Sequence, residues 1–336
     1  MTMLQRLSLA TALGGHLLTP TPAHAQITIK AGTMAPENSV WTRTLREMGD
    51  SWKRRTNGRV TLRVFPGTAG SESRMLRDLR ISRTLHVAQL SVIELSRLDD
   101  GFGVFGLPMF FASYEELDAV LAALGPMLEE RLERRGLKVL HWAHGGWVHV
   151  FARSPIATVD DLKRLKLFTS AGDNRLAGWY RDNGFNPVPI DASQMLASLS
   201  TGMIEAVPMT PLSAQLFMWY EHVPYMLEIG LAPLVGATVV SLDAWKRIAP
   251  ADQHVLLEEA RRAGARLRAE VPRLDVEAVA QMRKRKLTVV SGNHEEWRRA
   301  AEAFGSAMRD RLVPPDVYDA ARRTRDAARA GRSASR

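Results

Sequence analysis

The residues most capable of chemistry are three histidines, His141, His144 and His149, in the run His-Trp-Ala-His-Gly-Gly-Trp-Val-His. Three imidazoles suffice to hold a zinc ion with a position left open for water. On an extended segment, however, His141 and His144 point to opposite sides, and Gly145-Gly146 is expected to turn the chain. The spacing therefore predicts buried or cleft-lining imidazoles. A secreted metal-dependent hydrolase using His141, His144 and His149 stays open as an alternative, with metal content as the discriminator. Gly101 to Gly106 matches G-x-G-x-x-G, but a dinucleotide cradle needs a strand before it and a helix after it. Here Asp99-Asp100 precedes and Leu107-Pro108 follows, so the reading is an apolar loop entering a core.

Other chemistry finds no foothold. The chain has no G-x-S-x-G elbow, H-E-x-x-H pair or Walker loop. Zero cysteines exclude disulfides, thiolate metal sites, catalytic thiols and a lipid-bearing N-terminal Cys. Carboxylate pairs such as Asp160-Asp161 and Glu258-Glu259 lie beside Lys and Arg on predicted helices, where a solvated face explains them. The sequence thus points to binding, with no cofactor expected.

Length and charge narrow the class. The 336 residues, 46% hydrophobic and 24% charged, describe a globular protein with room for about two domains. Met1–Ala25 carries Arg6, an apolar run from Leu7 to Leu18 and an Ala23-His24-Ala25 end, which reads as a secretory leader cleaved after Ala25. The product is expected to be periplasmic, soluble, monomeric and free of a lipid anchor, which excludes nucleic acid as a partner. The net charge of +9 looks at first like a polyanion signal. Arg6 supplies one of those charges and Ala321–Arg336, with six Arg and one Asp, five more, leaving +3 for residues 26–320. The excess is mostly a basic tail, read as a frayed helix or disordered segment.

The elements that must position a site alternate. Strand patterns at 27–29, 59–65 and 87–92 are separated by helical patterns at 40–54 and 73–83. Ser113-Tyr114-Glu115-Glu116 is a capping box, opening a helix to Gly125 and a second to Arg135; Lys138–Trp142 and Trp147–Arg153 follow as two strands. A second α/β cycle runs from Thr158 to Met209, and Val235–Ser241 is a further strand. Pro250 to about Lys286 is apolar at helical spacing, long enough to cross two lobes, with Pro272 a predicted kink. The fold class is α/β, two-lobed and periplasmic-binding-protein-like, with a central cleft, crossing strands and a helix spanning both lobes. The boundaries are residues 26–147 plus 235–275 for lobe I, 148–234 plus 276–320 for lobe II, and 321–336 for the tail.

Several ordered stretches resemble the extracytoplasmic solute receptors of TRAP transporters, the DctP-like family. They are Ile29–Ser39, Thr56–Val60 with Val64-Phe65-Pro66, Phe105–Phe111, Asp160–Thr169, Gly184–Pro189 and Leu199–Ala206. The resemblance spans about residues 27 to 312. It implies a hinged receptor closing on an organic acid and delivering it to membrane permease subunits driven by an ion gradient, not by ATP; in some relatives a metal ion bridges the ligand. A ligand-sensing module for a membrane receptor would share the fold.

One position departs from the pattern. After Leu-Lys-x-Leu-Lys the family carries an Arg that clamps the ligand carboxylate, and here it is Phe168; upstream, where related receptors of acidic sugars carry a second Arg, stands Trp147-Val148. The carboxylate is then expected on Arg74, with Glu72 and Ser73, or on Thr169, Ser170 and the helix N-terminus near Asp173. Trp147, Phe168, Met209 and Trp219 are candidate apolar walls, and Trp41 and Thr210 complete the candidate set. That lining favours an aromatic or branched 2-oxo or hydroxy acid over a plain dicarboxylate.

Overall fold

The computed structural model describes residues 26–67, 71–171 and 173–334. The leader read at Met1–Ala25 lies outside them. The first α/β set runs β1 (Ile27–Thr33), α1 (Val40–Arg55), β2 (Val60–Pro66), α2 (Glu72–Arg77), β3 (Val87–Ser91), α3 (Val92–Leu95), α4 (Tyr114–Arg134) and β4 (Leu137–Ala152). β1 lies parallel between β2 and β3. The helix starts follow side-chain capping: Ser39, Ser71, Ser91 and Ser113 each accept a backbone N–H of the first turn.

The second set runs α5 (Val159–Lys163), β5 (Lys166–Ser170), α6 (Asn174–Asp182), β6 (Asn186–Ile190), α7 (Met195–Thr201), β7 (Ala206–Met209), α8 (Pro211–Leu216) and β8 (Tyr225–Leu227). The chain then returns through β9 (Ala232–Ser241), α9 (Leu242–Trp245), α10 (Pro250–Arg283), β10 (Thr288–Val290), α11 (His294–Met308) and α12 (Pro315–Ala334). The strand order is β2-β1-β3-β9-β4-β7-β5-β6, with β8 on β4 and β10 on β8.

β4 joins the two halves. Its residues 137–148 pair antiparallel with β9, and residues 149–152 pair with β7 and β8. The two strands expected here are one strand. Gly145-Gly146 makes no turn; the register shifts between His144 and Trp147, and Gly146 takes φ +107° inside the irregularity. Glycine is what lets an extended chain pass through such a conformation unbroken.

Three further expectations change. The helix from Ser113 does not stop at Gly125 but continues to Arg134 with Pro126 inside it. Its capping box is half formed: Ser113 accepts from Glu116 N–H, while the Glu116 carboxylate takes the N–H of Ala112 instead. The basic tail is α12, twenty residues long, with Val317 and Ala321 buried in the same core as Phe102 and Phe105. The long helix α10 is one continuous element of 34 residues through Pro272, about 51 Å at 1.5 Å per residue. Gly101–Gly106 lies in a 3-10 turn with Phe102 and Phe105 fully buried, as an apolar loop into the core requires.

Candidate functional site

A cavity of about 170 Å³ opens where the carboxyl ends of β1 and β3 meet the middle of β4 and β9. α1 and α2 close one side of it; α8 and α10 close the other. Its apolar walls are Trp41, Phe217, Leu234 and Leu267. Trp41 sits in the first turn of α1, set there by the Ser39 cap. Gly145 and Gly236 let the backbone come close: a Cβ on Gly145 would stand 2.9 Å from Leu234 Cδ2, and one on Gly236 2.9 Å from Leu90 O.

The polar lining comes from Thr33, Glu72, Gln89, Ser91, His144, Ser213 and Thr238. Glu72 opens α2, and its Oε2 accepts the Ser91 hydroxyl at 2.5 Å and Ser91 N–H at 3.1 Å. Burial pushes Glu72 up to about 7, against the lowering effect of the Ser91 bonds, and Glu94 adds to the rise. Gln89 and Thr238 face each other across the β3–β9 ladder. The Gln89 carbonyl accepts the Thr33 hydroxyl at 2.8 Å. Ser213 Oγ accepts from Thr210 at 2.9 Å, so its own hydrogen remains to offer.

Two buried polar atoms at this cavity have no partner. They are His144 Nδ1 and Thr238 Oγ1, on residues 3% and 1% exposed. Buried polar atoms are nearly always bonded, so both are exceptions within the described residues. The His144 ring stacks on Tyr114 at 4.2 Å and 16°, and burial, with the charge of Arg268, lowers it to about 4, so it is neutral near pH 7. No Lys or Arg stands among the described residues that line the cavity.

The three histidines of the β4 run do not converge. His141 packs against α10 at Gly264, where a Cβ would stand 2.6 Å from Nδ1; His144 faces the cleft; His149 Nδ1 meets Leu227 O at 2.9 Å. Among the described residues no group of three His, Asp or Glu could hold a metal ion.

Of the residues picked from the sequence, Trp41 and Glu72 line the cavity. Arg74 is exposed on α2, 4.0 Å from Asp78. Trp147 leans edge-on to Tyr114 at 5.2 Å. Phe168 is half-buried on β5 against the cluster that contains Met209. Thr169 is buried with an unpartnered hydroxyl, Ser170 ends β5, and Asp173 caps α6 through Leu176 N–H at 3.1 Å. Thr210 is the N-cap of α8, and Trp219 stacks on the cavity residue Phe217 at 4.8 Å.

Sequence reasoning missed Asp275. Its carboxylate, buried on α10, accepts Trp147 N–H and Leu212 N–H, both at 2.9 Å, and so ties α10 to β4 and to α8. A Cβ on Gly146 would stand 2.7 Å from it. Burial pushes Asp275 up to about 6 despite the two N–H bonds. The signal was present: Leu267, Val271, Asp275, Ala278 and Met282 form one buried stripe of α10, and a carboxylate on such a stripe needs a partner.

Two α/β halves joined by one strand and one long helix, with a cavity at the joint, define a two-lobed solute-binding protein. The bacterial extracellular solute-binding protein family 7 (DctP) matches residues 31–311. The 2,3-diketo-L-gulonate-binding periplasmic protein YiaO of Escherichia coli is 24% identical over 273 residues, 80% of this chain and 81% of that protein. In structure, a sugar acid binding protein from Advenella mimigardefordensis in complex with galactonate superposes with a TM-score of 0.84 at 18% identity, covering 90% and 99% of the two chains. A TRAP periplasmic solute-binding protein from Ralstonia eutropha with bound (S)-2-acetolactate superposes with a TM-score of 0.82 at 21% identity, covering 89% and 98%. The chain belongs to the DctP family of bacterial extracellular solute-binding proteins: a binding protein, not an enzyme. Among the described residues no helix is long and apolar enough to cross a membrane.

Proposed function

We propose that this receptor, exported with cleavage after Ala25, closes on an aromatic or branched 2-oxo or 2-hydroxy acid and hands it to the membrane permease of a TRAP-type importer. Closure brings together lobes comprising residues 26–147 plus 235–275 and 148–234 plus 276–320, hinged where β4 and α10 pass between them. A ligand held between lobes stabilises the closed form by its greater affinity for that form, and the permease reads the closed form.

One observation carries the reading of ligand class. The cavity sets Trp41 among several apolar walls beside neutral polar groups and the Glu72 carboxyl, with no guanidinium in its described lining. A small dicarboxylate would leave two charges without a cation, whereas a monoacid with a bulky apolar end buries that end on Trp41. The names of relatives agree on acids: a diketogulonate in one, and galactonate and acetolactate in two solved structures.

Mass spectrometry of ligand released from purified, denatured protein tests the reading, followed by a thermal-shift panel of acids. A ligand at 100 times its dissociation constant adds about 2.7 kcal/mol to stability, enough to be seen. Release of a plain dicarboxylate would sink the preference. Phe168→Arg restores the family's guanidinium and is expected to move the ranking toward succinate-like acids by about tenfold. An unchanged ranking would place Phe168 away from the ligand.

A further inference from the structure

Within the organic-acid reading, on which this inference rests, we propose that Glu72 selects a 2-hydroxy acid over the corresponding 2-oxo acid, by accepting the ligand hydroxyl at its free carboxylate oxygen.

The cavity's polar atoms sort into two sets. Donors are neutral: the Ser213 hydroxyl hydrogen and the –NH2 of Gln89, whose carbonyl is taken by Thr33. These suit a ligand carboxylate, which only accepts. The charged acceptor is Glu72; the neutral His144 ring accepts or donates at Nδ1 according to its tautomer. Glu72 Oε2 carries both Ser91 bonds, while Oε1 takes none from a described residue. A hydroxyl beside the ligand carboxylate can donate to Oε1. A keto oxygen can only accept, so in its place two acceptors would face each other, both shut off from water. A second ligand carboxylate there would add like charge in a cavity whose described lining carries no cation. One residue thereby discriminates against 2-oxo acids and dicarboxylates alike.

The ionisation of Glu72 sharpens the test. In the empty receptor Glu72 is mostly ionised, and accepts only, well above its value of about 7; protonated, it can donate to a keto oxygen, and the charge of a bound carboxylate favours that form. The titratable and charged groups around it are Glu94 on α3, which raises it, Arg97, which pairs with Glu94 at 3.7 Å, Arg74 on its own helix, which faces Asp78, and His144 on β4, neutral above pH 5.

Isothermal titration calorimetry with two matched pairs decides the matter: mandelate against phenylglyoxylate, and 2-hydroxy-3-methylbutanoate against 2-oxo-3-methylbutanoate, with succinate as a third kind of acid. At pH 8.5 the hydroxy acid is expected to bind about tenfold or more tighter than its keto partner, and at pH 5.5 the ratio should fall to about threefold. Glu72→Gln, whose amide both donates and accepts, should hold a ratio of about threefold at both pH values. The wild-type ratio across pH carries the test by itself should that variant not fold. Binding of both acids with equal affinity at pH 8.5, or a keto preference, overturns the selection by Glu72 and leaves the organic-acid reading standing. Failure of every acid, succinate included, overturns that reading and this inference with it.

Discussion

Glu72 and Glu116 are both glutamates in the first turn of a helix, and the protein treats them in opposite ways. Glu116, wholly buried on α4, accepts from Nε and Nη2 of Arg329, each at 2.9 Å, and takes a further bond from Arg332 of α12. Burial by itself would raise it, but the bonds from Arg329 and from Ala112 N–H, with the charges of both arginines, outweigh that and hold it below the usual carboxylate range. Glu72 has only Ser91, and burial lifts it to about 7. Arginines meet the carboxylate that joins α4 to α12, and none stands in the described lining of the cavity that holds the other.

The largest expected effect breaks the structural member of the pair. Arg329→Ala with Arg332→Ala leaves Glu116 buried and charged with only Ala112 N–H for company. The expected loss is about 3–5 kcal/mol, the usual cost of stripping one side of a buried ion pair. Urea denaturation at pH 7 measures it. Because Glu116 is held below its ordinary value of 4.5, its contribution to wild-type stability is present above that pH and is lost as pH falls through the lower folded value. The double variant should lose that dependence. A loss under about 1 kcal/mol would show α12 to be held by Val317 and Ala321 rather than by charge.

How much of this was legible follows the range of the interactions. The strand and helix alternation was readable because periodicity is local: Val40, Leu45, Met48 and Trp52 fall on one face of α1, and Asp161 closes a capping box on Thr158 within three residues. α12 was not, because what orders that arginine-rich segment is Glu116 and Phe110, more than two hundred residues earlier. The same holds for the strand through Gly145-Gly146. As a dipeptide it reads as a turn, and only its fit against Asp275, far along α10, makes it a crossing. In the site, Trp41 and Glu72 were within reach of sequence, whereas Gln89, Ser213 and Thr238 are ordinary residues made special by what they lack.

Asp275 stands between the two extremes, a buried carboxylate answered by backbone N–H groups instead of a cation. Removing it orphans Trp147 N–H and Leu212 N–H together, so Asp275→Ala is expected to cost about 2–4 kcal/mol in thermal or urea denaturation. Asp275→Asn keeps one accepting oxygen and should cost about half as much. Since the two N–H groups belong to β4 and α8, which both face the cavity, ligand affinity should fall in each variant in the same order. Affinity unchanged in a destabilised Asp275→Ala would separate this tie from the cleft.

The smallest effect is the most telling for the comparison. Glu72 ionises at about 7 in the folded protein against the ordinary glutamate value of 4.5, so the folded form binds more protons between those values and its stability falls as pH rises through them. Ionised Glu72 is a cost to the empty receptor. Glu72→Gln should therefore match the wild type at pH 4 and exceed it by about 1 kcal/mol at pH 8, the full linkage value being reduced because Glu72 keeps some contact with water. Arg329→Ala with Arg332→Ala moves the other way, destabilising most where carboxylates are ionised. Opposite pH trends in the two variants, measured by thermal denaturation from pH 4 to pH 8, are what a binding carboxylate and a structural one must give. If Glu72→Gln loses stability at pH 8, Glu72 holds α2 to β3 through Ser91 as Glu116 holds α12 to α4, and the distinction between the two glutamates collapses.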